Sequence, residues 1–301
     1  MIDKLHLLVL LFIIFSQWTT SFAQDQKIVI VYSHNTNGVL ENCNCPDKSY
    51  GGLEKRAALI DSIRKADNDI LLVDTGDILD IVSNRLLHEY VVRSYDYMRY
   101  DYWVAGDQDF VEGSDFFNQK LFKMSGQLLI SNLFYKDQQM GKTYIIRDFG
   151  KIRLGITGTI REDLSKFLDE PVQNDFTFDD QMSCLHQVIK QMQGKTDFIL
   201  LLSHSGMDRD YQISEKFPQI GLIIGGHSQT LLSNPEKVGS TYITQVGESG
   251  YRLGVLQLNF KQKELKSIKN TVILLKKSMK DNLFIKNLIN EYHQKRMPES
   301  Q

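Results

Sequence analysis

Short apolar runs alternate along the chain with stretches in which apolar residues recur at helical spacing. The runs that predict strands are 27–32, 70–74, 102–105, 127–132, 152–157, 198–202, 220–224, 242–246 and 252–260. The stretches that predict helices are 52–65, 86–98, 178–192 and 280–294. This alternation is typical of a layered α/β domain, which we expect to span residues 27–295 as a single domain.

Polar residues follow several of the predicted strands at the point where each strand ends. The segments concerned are SHNTNG (33–38), DTGD (74–77), AGDQDF (105–110), LSHSG (202–206) and GGHSQT (225–230). In α/β sheets, sites form where the carboxyl ends of strands meet loops. We therefore expect these segments to converge although they are far apart in the chain.

In their order and spacing, these segments resemble the calcineurin-like metallophosphoesterases, and specifically the catalytic domain of the 5′-nucleotidase and UDP-sugar hydrolase family. The family pattern is D-x-H, then GD, then G-N-H-[ED], then an isolated H, then GHxH. The stretches GGLEKRAALI, ISNL, KIRLGITGT and TQVGESGYRLGVLQL extend the resemblance across the chain. The resemblance implies a four-layer α/β/β/α sandwich that carries a two-metal site.

One of the two implied metal positions is complete in this sequence. The resemblance assigns to it Asp77 as the shared carboxylate, His204 as the isolated histidine and His227 as the first histidine of GHxH, while Asp107 replaces the family's asparagine. Two carboxylates and two imidazoles suit a borderline transition metal. We therefore expect one divalent ion, with Zn, Mn or Fe as the candidates.

The other implied metal position is altered. Asn35 and Asn37 replace the Asp and His of the first motif, and Gln229 takes the last position of GHxH. Amide oxygens are uncharged, hard ligands, so this side is expected to hold a weaker Mg or Ca ion or to contact phosphate. The alternative is that both asparagines serve only the turn. The adjacent His34 has no matched role and is expected to be structural.

Two functions remain open from the sequence. The first is a phosphoesterase that hydrolyses a small phosphorylated molecule, a nucleotide being one candidate, with a metal-activated water and with Asp77 and Gln108 as catalytic residues. The second is an impaired relative that binds phosphate compounds without turnover, because Gln108 replaces the family's leaving-group histidine and cannot pass a proton. We expect no second, C-terminal nucleotidase domain. The sequence therefore does not indicate which residues would determine nucleotide specificity.

Cys43 and Cys45 lie in a turn-rich loop just after the first polar segment. A disulfide between residues two apart is usually strained. A structural or redox role is favoured, in which one of the two pairs with Cys184. Binding of a soft metal by both thiolates remains the alternative.

Composition and the N-terminus bear on partners and location. The formal net charge is −2 and no long basic run occurs, so nucleic acid is not an expected partner. Residues 1–23 combine an early lysine, a short apolar core and a small-residue end, which predicts a secretory signal peptide; an uncleaved anchor is the alternative. We expect a periplasmic or extracellular protein with no membrane span in the mature chain. The oligomeric state stays open.

Overall fold

The computed structural model of the protein describes residues 25–42 and 49–296. The predicted signal segment 1–23 and the pair Cys43 and Cys45 lie outside the described residues. Within the described part of the chain, no helix combines the length and the apolar character needed to cross a membrane.

Two six-stranded sheets form the centre of the domain. The first sheet contains, in spatial order, β15 (Glu264–Leu274), β14 (Arg252–Lys261), β1 (Gln26–Ser33), β2 (Ile70–Asp74), β3 (Tyr102–Trp103) and β4 (Gln127–Leu128). The second contains β12 (Glu236–Val238), β13 (Thr241–Thr244), β11 (Leu222–Gly225), β10 (Phe198–His204), β8 (Ile152–Ile160) and β7 (Tyr144–Phe149). A small third sheet contains β6 (Gln138–Gln139), β5 (Leu133–Tyr135) and β9 (Phe176–Phe178).

Seven α-helices accompany the sheets. They are α1 (Leu53–Ala66), α2 (Arg85–Met98), α3 (Gly113–Phe116), α4 (Glu170–Asp175), α5 (Gln181–Met192), α6 (Met207–Lys216) and α7 (Leu283–Arg296), counted over the described residues. Short 3-10 helices at Asp107–Phe110 and Glu162–Phe167 and a π-helix at Phe117–Leu121 complete the order.

The side-chain alternation of β10 shows how the layers stack. Leu200 and Leu202 belong to the core between the sheets, whereas Ile199 and Leu201 belong to a second core with residues of α5 and α6. Because successive side chains of a strand point to opposite faces, the second sheet lies between these two cores. The helices α1, α2 and α7 pack together, and their apolar residues join the first core. The predicted four-layer α/β/β/α sandwich is confirmed.

Parallel pairing brings the strand ends to a common edge in each sheet. β2 pairs in parallel with β1 and with β3, and β10 pairs in parallel with β11. The carboxyl ends of these strands therefore lie side by side, and the loops that follow them meet there.

Several predicted boundaries differ from the structure. The strand predicted at 102–105 ends at Trp103, and the helix predicted from residue 178 begins at Gln181. Phe178 instead ends β9, which pairs with β5, and the Asp180 side chain accepts the N–H of Ser183 as the helix cap. The strand at 127–132 is confined to Gln127–Leu128.

Candidate metal centre

Four side chains converge where the ends of the two sheets meet. Asp77 follows β2, Asp107 follows β3, His204 ends β10, and His227 follows β11. One ligand atom from each lies within 4.8 Å of the other three. Each sheet therefore contributes two of the four donors: the first sheet supplies the carboxylates and the second the imidazoles.

The distances within this group are those of side chains that share one small volume. The Nε2 atom of His204 lies 3.3 Å from Oδ1 of Asp77 and 3.1 Å from Oδ1 of Asp107. The Nδ1 atom of His227 lies 3.1 Å from the same Oδ1 of Asp107. The donors therefore face a common point, as ligands of one ion must.

A backbone carbonyl orients His204. Its Nδ1 lies 2.6 Å from the carbonyl oxygen of Thr75, which can only accept, so Nδ1 carries the proton and donates. Nε2 is then the ring nitrogen that faces Asp77 and Asp107. A ligating histidine usually donates its other ring nitrogen in this way, which sets the tautomer needed for metal binding.

The charges of these four side chains favour a cation between them. Burial alone would raise the pKa of Asp107, but hydrogen bonds from His204 and His227 hold that pKa well below its ordinary range. Burial likewise opposes protonation of His204, yet the carboxylates of Asp77 and Asp107 raise its pKa well above the ordinary value. A divalent cation at this point would supply the same compensation. The donor set therefore fits a borderline divalent ion.

The centre is buried on one side and open on the other. The side chains of His204 and Asp77 are 0% and 1% exposed, whereas those of Asp107 and His227 are 18% and 33% exposed. A ligand from solvent therefore reaches this point past Asp107 and His227.

Glycines make room for the cluster. A Cβ atom on Gly106 would overlap the Asp77 carboxylate and crowd the His204 ring. Gly76 has a φ of +91°, and a Cβ there would come 2.6 Å from the backbone nitrogen of Gly106. Any larger residue at either position would displace a donor, which explains the glycines in both segments.

Asn35 presents its amide nitrogen, not its oxygen, to the centre. Its Nδ2 donates to Oδ2 of Asp77 at 2.7 Å. Its Oδ1 accepts the backbone N–H of His227 at 3.0 Å and lies 2.8 Å from Nδ1 of His34. The backbone N–H of Val246 donates to Nε2 of His34, so Nδ1 of His34 holds the proton and donates to Asn35. Two donors thus fix the orientation of the Asn35 amide.

The other amides leave acceptors without partners. Asn37 donates to Oε1 of Gln229 at 3.4 Å, while Oδ1 of Asn37 is buried and makes no hydrogen bond. Oε1 of Gln108 is also buried without a hydrogen bond, although the Gln108 backbone N–H donates to Oδ1 of Asp77 at 3.1 Å. Buried polar atoms in folded proteins are nearly always paired, so these oxygens mark a place where a ligand or ordered water completes the site.

Backbone strain concentrates at the same place. Five site residues have left-handed φ values, namely Asn35 (45°), Asn37 (50°), Asp77 (55°), His227 (67°) and Gln229 (54°). Non-glycine residues with positive φ are uncommon and are costly for a residue such as glutamine. Such outliers collect at functional sites, where the surrounding structure maintains them.

Asp109 is a site residue that the sequence analysis missed. It is buried, and its carboxylate accepts the backbone N–H groups of Gly106, Ile78 and Leu79 at 2.8, 2.8 and 3.1 Å. It therefore ties the loop that carries Asp107 to the loop that carries Asp77. The sequence pattern that could have revealed it is an acidic residue three positions after Gly106, at the start of a helical turn. This spacing is typical of a helix cap.

A buried polar network behind the centre was also missed. Arg56 is fully buried and donates to the Tyr95 hydroxyl at 2.7 Å, and Tyr95 donates to Oδ2 of Asp74 at 3.0 Å. The Oδ1 atom of Asp74 accepts the Gly76 N–H at 2.9 Å, one residue before Asp77. This network holds the turn that places Asp77.

Of the cysteines, only Cys184 falls in the described residues. It is half-buried and forms no disulfide there, and burial raises the pKa of its thiol to about 11. The proposed structural or redox role of Cys43 and Cys45 stays a prediction.

Comparisons with known proteins show the family of the chain. A model of the family described as calcineurin-like phosphoesterase matches residues 23–230, a range that includes all four donors of the centre. The chain belongs to the calcineurin-like phosphoesterase family. The resemblance inferred from the strand-end segments is confirmed.

Relatives of this calcineurin-like phosphoesterase include 5′-nucleotidases. A 5′-nucleotidase of Diplobatis ommata is 24% identical over 84% of this chain and 49% of its own length. Protein UshA of Yersinia enterocolitica is 24% identical over 85% of this chain and 54% of its own length. The chain thus spans about half the length of the curated relatives it matches.

Solved structures share the fold. A 5′-nucleotidase precursor of Thermus thermophilus superposes with a TM-score of 0.78 at 21% identity, covering 89% of this chain and 59% of that one. A calcineurin-like phosphoesterase of Bacillus subtilis superposes with a TM-score of 0.76 at 17% identity, covering 90% and 98%.

Proposed function

We propose that the protein is an exported, metal-dependent phosphoesterase that hydrolyses a phosphate monoester. The observation that carries the proposal is the four-donor cluster, which is open to solvent on the side of Asp107 and His227. The 5′-nucleotidase relatives support phosphate esters as the substrate class, with a nucleotide as one candidate.

In this proposal Asp77, Asp107, His204 and His227 hold one divalent ion, of Zn, Mn or Fe. Such an ion supplies Lewis acidity: it lowers the pKa of water and offsets charge on the phosphoryl group. Gln108 borders the centre and donates its side-chain amide N–H to the phosphoryl or leaving oxygen. Asn37 and Gln229 contact the phosphate from the opposite side, and a weaker Mg or Ca ion there is the competing assignment.

The orientation of the Asn35 amide supports a single ion. A second ion sharing Oδ2 of Asp77 would need further ligands at that place, but Asn35 faces this oxygen with an N–H group, which cannot ligate a cation. His34 offers no lone pair either, because its Nε2 accepts from Val246 and its Nδ1 donates to Asn35. Both contacts favour one ion per chain.

Metal content and hydrolysis test the proposal together. The full chain, purified from cells grown in metal-replete medium, is expected to contain about one divalent ion. It is also expected to hydrolyse 4-nitrophenyl phosphate or a nucleoside monophosphate. A chelator should abolish turnover and added Mn or Zn should restore it. His204→Ala should lose both metal and turnover, whereas His186→Ala, the same change at an exposed histidine of α5, should lose neither. Protein that neither retains nor takes up metal would end the proposal.

A second candidate function is phosphate binding without turnover. The observation that favours it is Gln108, since an amide beside the centre can donate a hydrogen bond but cannot transfer a proton. Calorimetric binding of inorganic phosphate or a nucleotide, with no product formed under Zn, Mn, Mg or Ca, would favour this function over hydrolysis.

The export part of the proposal rests on the sequence of residues 1–23. Amino-terminal sequencing of the protein from the periplasmic fraction or the medium should begin after residue 23. An intact N-terminus in the cytosolic fraction would contradict it.

A further inference from the structure

A pocket of about 320 Å³ opens beside the metal centre. Asp107 and Gln108 line it on one side, the loop after β2 with Ile81 on another, and the segment around Phe167 on the third. Because Asp107 is also a donor of the centre, a phosphate held at that centre would have its ester oxygen within reach of this pocket.

Apolar side chains at the pocket are exposed to solvent. Phe167 and Ile81 are 80% and 70% exposed, which places them among the most exposed large apolar residues of the described chain. Val111 and Leu168 extend the apolar wall. Exposed apolar surface that borders a concave site is typical of ligand binding, because an apolar ligand removes it from water.

The charges around the pocket exclude an anionic occupant. Its lining residues include the acidic Asp107 and Asp169 and no lysine, arginine or histidine. A second phosphate or a carboxylate would meet Asp169 here, with no lysine, arginine or histidine to pair with. The group that enters is therefore one without negative charge.

The wall that carries Ile81 is held by a buried hydrogen bond between His88 and Glu112. Glu112 accepts from Nδ1 of His88 at 2.7 Å, from the backbone N–H of Asn84 at 2.7 Å and from Oγ of Ser83 at 3.0 Å. The Asp80 backbone N–H donates to the other nitrogen of His88 at 3.2 Å. The loop therefore presents Ile81 from a fixed backbone, so this wall of the pocket is in place before a ligand binds.

We propose that this pocket receives the leaving group, and that the substrate is a phosphomonoester of an alcohol that has an aromatic face and carries no negative charge. Polyphosphates and polyhydroxylated sugar phosphates are disfavoured. The inference rests on the proposed function. In that reaction a P–O bond to water forms, the ester P–O bond breaks, and the leaving oxygen takes up a proton originating from the water.

Paired esters test this inference. With 1-naphthyl phosphate and glycerol phosphate as substrates, the wild-type ratio of the two kcat/KM values is the reference, because an aryl ester is intrinsically more reactive than an alkyl ester. In Phe167→Ala, the ratio of the two kcat/KM values should fall about tenfold, as expected for lost contact with one aromatic ring. Phe122→Ala, which removes a 38%-exposed phenylalanine that does not line the pocket, should leave the ratio unchanged.

Binding separates this inference from the proposed function. If no ester is hydrolysed under any metal, the proposed function fails, while naphthyl phosphate should still bind the metal-loaded protein and lose affinity about tenfold in Phe167→Ala. If both esters are hydrolysed with equal kcat/KM, or if the ratio is the same in Phe167→Ala as in the wild type, the pocket does not hold the leaving group.

Discussion

Asn35→Asp tests whether one amide sets the number of metal ions. In the wild type, Nδ2 of Asn35 donates to Oδ2 of Asp77 at 2.7 Å, while two donors fix the Asn35 oxygen. In the variant, His34 and the His227 backbone would still donate to one carboxylate oxygen. The other carboxylate oxygen of the introduced aspartate would face Oδ2 of Asp77 directly.

The distance gives the size of the effect. Two carboxylates 2.7 Å apart repel by about 6 kcal/mol at an effective dielectric constant of about 20. Only a proton or a cation relieves repulsion of that size. The metal-free variant should therefore be less stable than the wild type at neutral pH, and it should gain more stability from added Mn, because a ligand that binds only the native state stabilises it.

Elemental analysis after dialysis against Mn should give about one ion per chain for the wild type and about two for Asn35→Asp. Asn35→Ala serves as the control: it removes the N–H group without adding charge, so it should still bind about one ion. As a measurement that needs no variant, the electron paramagnetic resonance spectrum of Mn-loaded wild type should be that of isolated ions.

Two results would refute this reasoning. One is a wild-type chain that retains two exchange-coupled ions, because the amide would then not prevent sharing of Asp77. The other is a folded Asn35→Asp variant, with native circular dichroism, that still binds one ion.

Three further outcomes are expected. Burial lowers the pKa of His34 to about 4, so the folded state resists protonation and stability should be lost as pH falls from about 6.5 to about 4, by about 3 kcal/mol. Urea unfolding measured at pH 7 and pH 4.5 should show a smaller loss of stability in His34→Gln than in the wild type. An equal loss in both proteins would exclude His34 as its source. Arg56→Leu leaves the buried Asp74 without its cation and should cost about 3–5 kcal/mol in the same assay, and a cost below 1 kcal/mol would contradict the role of the network. Gln108→Ala should lower kcat about a hundredfold at unchanged metal content, whereas unchanged kcat would remove Gln108 from the reaction.

The metal-centre segments could be found from sequence because they follow buried strands. β2 and β10 are short apolar runs that end in a polar turn, and the direction of such strands brings their ends together regardless of loop length. The edge strand β15 was missed because polar and charged residues dominate its first seven positions and its apolar run is confined to the last three, 272–274. The helix α6 was missed for a similar reason, since few of its residues are buried.

The sequence could not show which atom of Asn35 faces Asp77. That orientation depends on the tautomer of His34, which in turn depends on a backbone N–H more than two hundred residues away, at Val246. Phe167 was unpredictable for a related reason. Its exposure is set by how the 3-10 helix Glu162–Phe167 lies beside the Asp107 segment, and no local pattern encodes that contact.

The division of the four donors between the two sheets links ion binding to assembly of the whole domain. Each sheet supplies only two of the four ligands. The ion therefore binds with its full free energy only when both sheets have folded and packed together. If the chain is exported as proposed and binds its metal after translocation, it would thereby become more resistant to unfolding and proteolysis. The metal content of the protein would then indicate how much of it is correctly folded as well as how much is competent for catalysis.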